Sequence, residues 1–223
     1  MPRMGTLHLV RHGQASFGSD DYDRLSELGE RQCHALGAWF AGRGVRFDGV
    51  MHGTLKRHRQ SLAAIRQGHG DLPEALTWPG LDEYDAAAVV RAVHPDPLPP
   101  PTTPEAFKHH FRVLREGLAR WMAGEAAPEG MPSYADWVAG VEGALDHVRE
   151  NFAGDVLVVS SGGPIATAVG RVLGTSAETT IDLNMQIRNS ALTEFVFTPR
   201  RVILVGYNHL PHLDQRPDWV TRT

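Results

Sequence analysis

Short apolar runs alternate with segments of helical periodicity in the first third of the chain. Residues 6–10 (TLHLV) form a short apolar run, which is typical of a buried strand. In residues 26–42 apolar side chains recur at helical spacing, and Gly42 and Gly44 are expected to end that helix. The same pattern then predicts a strand at 47–51, a helix at about 55–67 and a candidate strand at 76–78.

A proline-rich segment divides the chain near its middle. Residues 94–104 (HPDPLPPPTTP) hold six prolines, which exclude a regular helix and predict a loop. Beyond it, a Gly/Pro-rich turn at 124–132 separates two segments of helical periodicity. The elements predicted for this half are helices at 105–122, 133–151 and 164–173, a strand at 156–160, and a hairpin of strands at 189–197 and 202–207.

Strands alternate with helices in both halves, which indicates an α/β fold built in layers. We therefore predict one domain over residues 1–223, a three-layer αβα arrangement with a mostly parallel central sheet. Residues 94–132 are predicted to form a helical cap inserted over a site at the strand ends, and the tail from about Leu213 to be poorly ordered. Four aromatic residues are left open as a lining of the cap or as a homodimer face: Phe107, Phe111, Trp121 and Trp137.

Composition narrows the class of protein. Of 223 residues 42% are hydrophobic, and 22 Lys+Arg against 26 Asp+Glu give a net charge of −4. No apolar run approaches the roughly 20 residues of a membrane span, and the N-terminal residues lack the apolar stretch of a signal peptide. The slight acidity argues against nucleic acid as the main partner, and one cysteine, Cys33, fits a reducing compartment. We expect a cytoplasmic protein whose partner is neither a membrane nor a nucleic acid.

The strongest chemical signal lies where the first predicted strand ends, in residues 9–16 (LVRHGQAS). Side chains at the carboxyl edge of a parallel sheet face the usual ligand crevice. The guanidinium of Arg11 offers a planar fork for phosphate oxygens, and Gly13 lets the backbone approach an anion closely. His12 can attack phosphorus, because neutral imidazole is nucleophilic near pH 7. Taken alone, the tripeptide is weak evidence, and a histidine that caps a turn at the strand end is the favoured interpretation.

Further blocks in order along the chain make it resemble the histidine phosphatase superfamily, the phosphoglycerate-mutase-like proteins. The resemblance spans about residues 7–213 and implies one phosphoglycerate-mutase-like domain. The blocks that carry it are RHG with Gln14 and Ser16, residues 23–32 (DRLSELGERQ), 55–62 (LKRHRQSL), 81–83 (LDE), 189–193 (NSALT) and 212–213 (HL).

The resemblance implies a role for each matched residue. His12 is the nucleophile that forms a phosphohistidine, and Glu83 is the acidic proton donor, with Asp82 and Asp85 as rivals. No metal ion and no cofactor is implied, because arginines supply the positive charge. The expected partner is a small phosphorylated substrate or phosphate. The residues implied to bind the phosphate are Arg11, Arg57 (with Arg59 as its rival), Ser16, Ser161 and Gly162.

One position departs from the family pattern. The family places a second histidine after the late strand, where this chain has Ser161 followed by Gly162 and Gly163. The glycine amides can still face an anion, but a hydroxyl lacks the charge of an imidazole. Losing such a contact costs on the order of 10²–10³ in rate. His209 and His212 are the candidates for compensation.

Three functions remain in consideration. The first is a metal-independent phosphatase that hydrolyses small phosphomonoesters. The second is a catalytically weak or inactive member of the fold that binds a phosphorylated ligand, and the third is a phosphoglycerate-type mutase. A serine hydrolase using Ser161, Asp182 and His209 is disfavoured, because Val159 stands where the nucleophile elbow needs a glycine.

Overall fold

The computed structural model describes residues 4–16, 23–99 and 102–222. Within them lie six strands and seven α-helices, joined by loops and short 3-10 turns. The strands are β1 (Gly5–Arg11), β2 (Phe47–His52), β3 (Ala75–Thr77), β4 (Asp155–Ser160), β5 (Leu192–Thr198) and β6 (Arg201–His209). The helices are α1 (Glu27–Gly42), α2 (Lys56–His69), α3 (Ala86–Val93), α4 (Pro104–Met122), α5 (Tyr134–Asn151), α6 (Gly162–Leu173) and α7 (Ala177–Gln186).

The strands form one sheet in the order β3-β2-β4-β1-β5-β6. The first four are parallel, and β5 and β6 continue the sheet as antiparallel strands. The carboxyl ends of β1, β2 and β4 therefore meet at one edge of the sheet. In parallel sheets that edge is where ligands bind.

Helices cover both faces of the sheet, and β4 shows why. Its side chains alternate, with Leu157 and Val159 buried among α1 and α2, and Val156 and Val158 buried among α5 and α6. A strand that is apolar on both faces must lie in the middle of a layered fold. Each fully buried side chain of this size contributes about 1.5–3 kcal/mol.

Above the carboxyl edge, α3, α4 and α7 share a smaller core. It is built from Val89, Leu118, Trp121 and Ile181, all with less than a tenth of their surface exposed. Trp121 thus belongs to this core, whereas Phe111 on α4 is 46% exposed. None of the helices in the described residues is both long and apolar enough to cross a membrane.

The predicted α/β fold with a mostly parallel sheet is confirmed, and the predicted strands and long helices, the last hairpin included, lie within three residues of their observed bounds. Helices α3 and α7 were not expected from the sequence. The prediction of a poorly ordered tail after Leu213 is wrong. Thr221 accepts a backbone hydrogen bond from Asn189, and the Gln32 side chain donates to the carbonyl of Trp219.

Candidate active site

A cleft of about 810 Å³ opens at the carboxyl edge of the sheet, between the sheet and α4. Its lining combines three arginines, one histidine and two carboxylates with several apolar side chains. Its lining residues are Arg11, His12, Leu55, Arg57, Glu83, Tyr84, Asp85, Ala86, Ala87, Phe111, Leu114, Asn184, Met185 and Arg222.

His12 follows β1 directly and is held in one tautomer. Its Nδ1 lies 2.7 Å from the carbonyl oxygen of Gly13, which can only accept, so Nδ1 carries the hydrogen. Burial together with the charges of Arg11 and Arg57 holds the pKa of His12 well below its usual range. The imidazole is therefore neutral, and Nε2 keeps a lone pair for reaction.

Close packing of glycines fixes the loop that carries His12. A Cβ on Gly13 would come within 3.0 Å of the carbonyl oxygen of Gly29 on α1 and of Cys33 Sγ. The backbone amide of Ser190, a residue with a positive φ of 56°, donates to the carbonyl of His12 from the other side. Strained backbone of this kind persists where the surrounding structure fixes it, and here it supports the histidine.

The two predicted phosphate-binding arginines line the same cleft and are anchored differently. Arg11 donates through Nη1 to the carbonyl oxygens of Ile187, at 2.5 Å, and Arg222, at 3.0 Å. Arg57 lies in the first turn of α2, and its Nη1 is 2.8 Å from Oδ1 of Asp23. The Asp23 carboxylate also accepts the backbone N–H of Lys56, so it caps the helix that positions Arg57. The rival Arg59 is exposed and donates to the carbonyl of Thr54.

Glu83 lines the cleft between these arginines and α6. Its carboxylate accepts the N–H of Gly163, with oxygen distances of 3.1 and 3.2 Å. Burial raises the pKa of Glu83, against the opposing effects of Gly163, Arg57 and Arg11. A carboxyl group in that setting retains its proton to higher pH, which suits a general acid.

The rival carboxylates have other partners. Asp82 accepts hydrogen bonds from the amide and the hydroxyl of Thr54. Asp85 also lines the cleft, and its side chain caps α3 by accepting the N–H of Ala88 at 3.0 Å.

The remaining predicted phosphate ligands lie farther from the open cleft. Ser161 is completely buried, and Gly162 packs against Asn184. The first turn of α6 was expected to face an external anion, but the amide of Gly163 binds Glu83 instead. Ser16 stands at the edge of the described segment, where its amide donates to the carbonyl of Arg24. The structure thus brings Arg11, His12, Arg57 and Glu83 together, and leaves the contacts of Ser16, Ser161 and Gly162 with phosphate as a prediction.

The partner of Ser161 is a histidine that the sequence analysis did not assign to the site. Nε2 of His58 lies 2.7 Å from Oγ of Ser161, and the His58 ring centroid is 5.9 Å from that of His12. By contrast, His209 is exposed on β6, and His212 pairs through Nε2 with the hydroxyl of Ser190. Neither of the two candidates for compensation lines the cleft.

The serine-hydrolase alternative loses its proposed residues. Asp182 forms a surface ion pair with Arg115, at 2.6 Å. Ser161 does lie beside His58, but the neighbouring amide of Gly163, which an oxyanion hole would need, is occupied by Glu83. No group of three or more His, Cys, Asp or Glu side chains in the described residues has the arrangement of a metal site.

The C-terminal tail adds a further basic group to the cleft. Arg222 lines it, and the tail is held by the bonds of Thr221 to Asn189 and Gln32. The sequence carried no local signal for this, because each bond joins residues more than 30 positions apart.

Several solved structures with a similar fold are named as phosphatases. Phosphoserine phosphatase from Entamoeba histolytica, a mutant in complex with phosphoserine, is 20% identical with a TM-score of 0.64 over 94% of this chain and 99% of that chain. Mycobacterial glucosyl-3-phosphoglycerate phosphatase is 19% identical with a TM-score of 0.63 over 92% and 98%. A protein from Escherichia coli described as an alpha-ribazole-5'-P phosphatase is 17% identical with a TM-score of 0.63 over 92% and 96%.

These identities establish the fold and nothing finer. A comparison with curated protein sequences finds no significant match. The model of one family, however, matches residues 7–210, which is most of the chain. With the order of the sequence blocks and the cleft at the sheet edge, that match places the chain in the histidine phosphatase superfamily, branch 1.

Proposed function

We propose that this protein is a phosphatase that hydrolyses small phosphomonoesters through a phosphohistidine at His12. The state of His12 carries the proposal. Nδ1 of His12 donates its hydrogen bond to the carbonyl oxygen of Gly13, and the ring is neutral, so the lone pair of Nε2 can act as a nucleophile. Arg11 and Arg57 line the same cleft. A nucleophile beside two guanidinium groups suits phosphoryl transfer, because the cations balance the charge of the phosphoryl oxygens.

In the first step, the Nε2 lone pair of His12 forms a bond to phosphorus while the bond from phosphorus to the alcohol oxygen breaks. The electrons of that bond pass to the alcohol oxygen, which takes the proton of Glu83 and leaves as the free alcohol. Arg11 and Arg57 balance the negative charge on the equatorial oxygens of the phosphoryl group.

In the second step, water attacks the phosphohistidine. Glu83, now ionised, accepts a proton from the water as its oxygen bonds to phosphorus. The electrons of the P–N bond return to Nε2, and inorganic phosphate leaves with His12 and Glu83 in their starting states.

Glu83 can serve in both steps because two opposing effects balance at its carboxyl group. Burial raises its pKa, so at a given pH a larger fraction of the group carries a proton for the leaving group. The amide of Gly163 and the two arginines stabilise the carboxylate that remains once the proton is given up.

The apolar side chains of the cleft support a substrate whose alcohol carries an apolar group. Leu55, Phe111, Leu114 and Met185 line the same cleft as the arginines. A ligand with its phosphate at Arg11 would place its alcohol portion among these side chains, and burying them on binding is favourable. The phosphatase names of the solved neighbours support the phosphomonoester class.

The test compares turnover of p-nitrophenyl phosphate by the wild type, His12→Asn and His52→Asn, with EDTA present. His52 is the matched control, because it too is buried at a strand end with Nδ1 bound to the next carbonyl, that of Gly53 at 2.6 Å. It does not line the cleft. We expect turnover to vanish in His12→Asn and to persist in His52→Asn. Full activity in His12→Asn would refute the mechanism.

The alternatives give different results in the same preparation. A member that only binds a phosphorylated ligand shows phosphate binding by calorimetry and no turnover of any ester. A mutase exchanges 3-phosphoglycerate with 2-phosphoglycerate without net release of phosphate.

A further inference from the structure

Behind the nucleophile, Asp82, His58 and Ser161 form a polar chain that the proposed mechanism does not use. Nε2 of His58 lies 2.7 Å from Oγ of Ser161, and its Nδ1 lies 3.6 Å from Oδ1 of Asp82. His58 and Ser161 have no exposed surface. Burying such groups beside His12 is costly, and Nδ1 of His58 faces the Asp82 carboxylate without a hydrogen bond.

Thr54 and Gly53 fix the positions of the side chains in this polar chain. The amide and hydroxyl of Thr54 both donate to the Asp82 carboxylate and hold it beside His58. A Cβ on Gly53 would come within 3.0 Å of Nδ1 of His58 and Oδ1 of Asp82. The Asp82–His58 pair therefore has room only because residue 53 is a glycine.

The state of His58 decides where the Ser161 hydrogen points. The carboxylate of Asp82 favours a proton on Nδ1 of His58. When His58 is neutral, its Nε2 accepts the hydroxyl hydrogen of Ser161. When both ring nitrogens are protonated, Nε2 donates to Ser161 Oγ, and the hydroxyl hydrogen can be given to another acceptor.

We infer that His58 is a positioning residue for phosphoryl transfer, which turns the Ser161 hydroxyl into a hydrogen-bond donor to the phosphoryl group. The inference rests on the proposed function. A bound phosphoester monoanion passes its proton to Oγ of Ser161 as Ser161 passes its own to Nε2 of His58. The phosphoryl group becomes a dianion, and His58 becomes a cation facing the Asp82 carboxylate, so the proton stays within the site.

The charges around His58 allow this change. The groups that face it are Asp82, Asp23, Arg57 and His12. Burial and Arg57 outweigh the two carboxylates and hold the pKa of His58 below its usual value, so the ring is neutral before an anion arrives. The negative charge of a phosphoryl group favours the protonated ring.

The first test is a double-mutant cycle on phosphatase turnover with His58→Gln, Ser161→Ala and the double variant. Each single change should lower kcat by about 10²-fold, which is the effect of losing one hydrogen-bond donor to the transition state. KM should change little. The double variant should be no slower than the singles, because His58 acts through Ser161. His52→Gln is the buried-histidine control and should keep its kcat.

A second pair of variants distinguishes the loss of the imidazole from a loss of packing at position 58. In Ser161→His the new ring would collide with His58, whose Nε2 already lies 2.7 Å from Oγ of Ser161. We expect this single variant to be slower than wild type. His58→Ala/Ser161→His opens the space and moves the imidazole to position 161, so it should recover at least tenfold over His58→Ala.

A calorimetric titration with inorganic phosphate separates this inference from the proposed function. At about pH 8, in buffers of different ionisation enthalpy, the wild type should take up more protons on binding than His58→Gln, whether or not the protein turns over. Equal proton uptake, or multiplicative losses of kcat in the cycle, would overturn the role of His58. If His12→Asn loses activity but His58→Gln keeps the wild-type kcat, the role of His58 is overturned and the proposed function stands.

Discussion

The backbone N–H of Gly163 donates to both carboxylate oxygens of Glu83, at 3.1 and 3.2 Å. The first turn of α6 thus binds a carboxylate of the protein itself. A helix N-terminus stabilises negative charge, whereas burial raises the pKa of Glu83. In Glu83, the proposed general acid, the helix N-terminus therefore stabilises the carboxylate and burial stabilises the protonated form.

Replacing Glu83 by glutamine should lower kcat by about 10²–10⁴-fold, because the leaving oxygen loses its proton donor. In the wild type, activity should fall at low pH as His12 gains a proton, and at high pH as Glu83 loses one. The pKa of His12 is lowered and that of Glu83 is raised, so the maximum should be mildly acidic. In Glu83→Gln the fall at high pH should disappear from the kcat profile. Asp85→Asn alters another carboxylate of the cleft, and its kcat profile should keep the fall at low pH and the fall at high pH.

Gly163→Ala should reduce activity without unfolding the protein. A Cβ at this position would come within 3.0 Å of Oε1 of Glu83, so the carboxylate must move. We expect kcat to fall by about tenfold or more, with a loss of 1–3 kcal/mol in the free energy of unfolding from overpacking. Gly42→Ala is the control, since nothing lies within 4 Å of its added Cβ. Wild-type kinetics in Gly163→Ala would show that the position of Glu83 does not matter.

Asp23→Asn should weaken binding of phosphorylated ligands by roughly tenfold. The Asp23 carboxylate holds Nη1 of Arg57 at 2.8 Å and caps α2, and hydrogen bonds to charged groups are worth about 1.5–3 kcal/mol. The effect is measured as a rise in the dissociation constant of inorganic phosphate. Asp146→Asn, which breaks a surface ion pair with Arg149, should leave that constant unchanged.

His212 should make the fold sensitive to acid. Burial lowers the pKa of His212 to about 3, well below its value in the unfolded chain. Between those two values the unfolded state binds more protons, so the free energy of unfolding must decrease as the pH falls from about 6.5 toward 3. His212→Gln should show a shallower decrease in urea titrations over this range. An identical slope in both proteins would exclude His212 as a source of the effect.

Phe111→Ala should discriminate between substrates. Phe111 is 46% exposed and is one of the apolar side chains that line the cleft. Removing it should raise KM for an aryl phosphate several-fold, because apolar contact with the alcohol portion is lost. KM for a small polar ester such as glycerol phosphate should stay within twofold, which is about 0.4 kcal/mol. Equal changes in KM for both esters would show that the alcohol portion of the substrate does not contact Phe111.

The sequence predicted most of the fold because its main elements carry local signals. Residues 156–160 form a short apolar run, which predicted the strand β4, and Ser26 caps α1 by accepting the N–H of Gly29. Helices α3 and α7 are capped by Asp85 and Ser176, but at 8 and 10 residues they are too short for their apolar spacing to be recognised in the sequence. Packing in the core that they share with α4 stabilises them.

The site was predicted only where its residues belong to local motifs. His12 and Arg11 stand in one tripeptide, and Arg57 and Glu83 in short blocks, so the resemblance could assign them. His58 could not be found that way. Its partner Ser161 is 103 positions away, and no pattern in the chain links the two. Arg222 reaches the cleft through contacts of the tail that span the whole fold.

The central claim is a covalent phosphohistidine at His12, and rapid acid-free quenching tests it directly. The wild type is mixed with a phosphomonoester for milliseconds, denatured in alkali and digested, and the peptides are searched by mass spectrometry for a phosphoryl group on residues 9–16. We expect an alkali-stable, acid-labile phosphoryl group on His12, accumulating further in Glu83→Gln when an ester with a good leaving group is used. Turnover of the ester with no phosphoryl group on His12, or with one on another residue, would contradict the account.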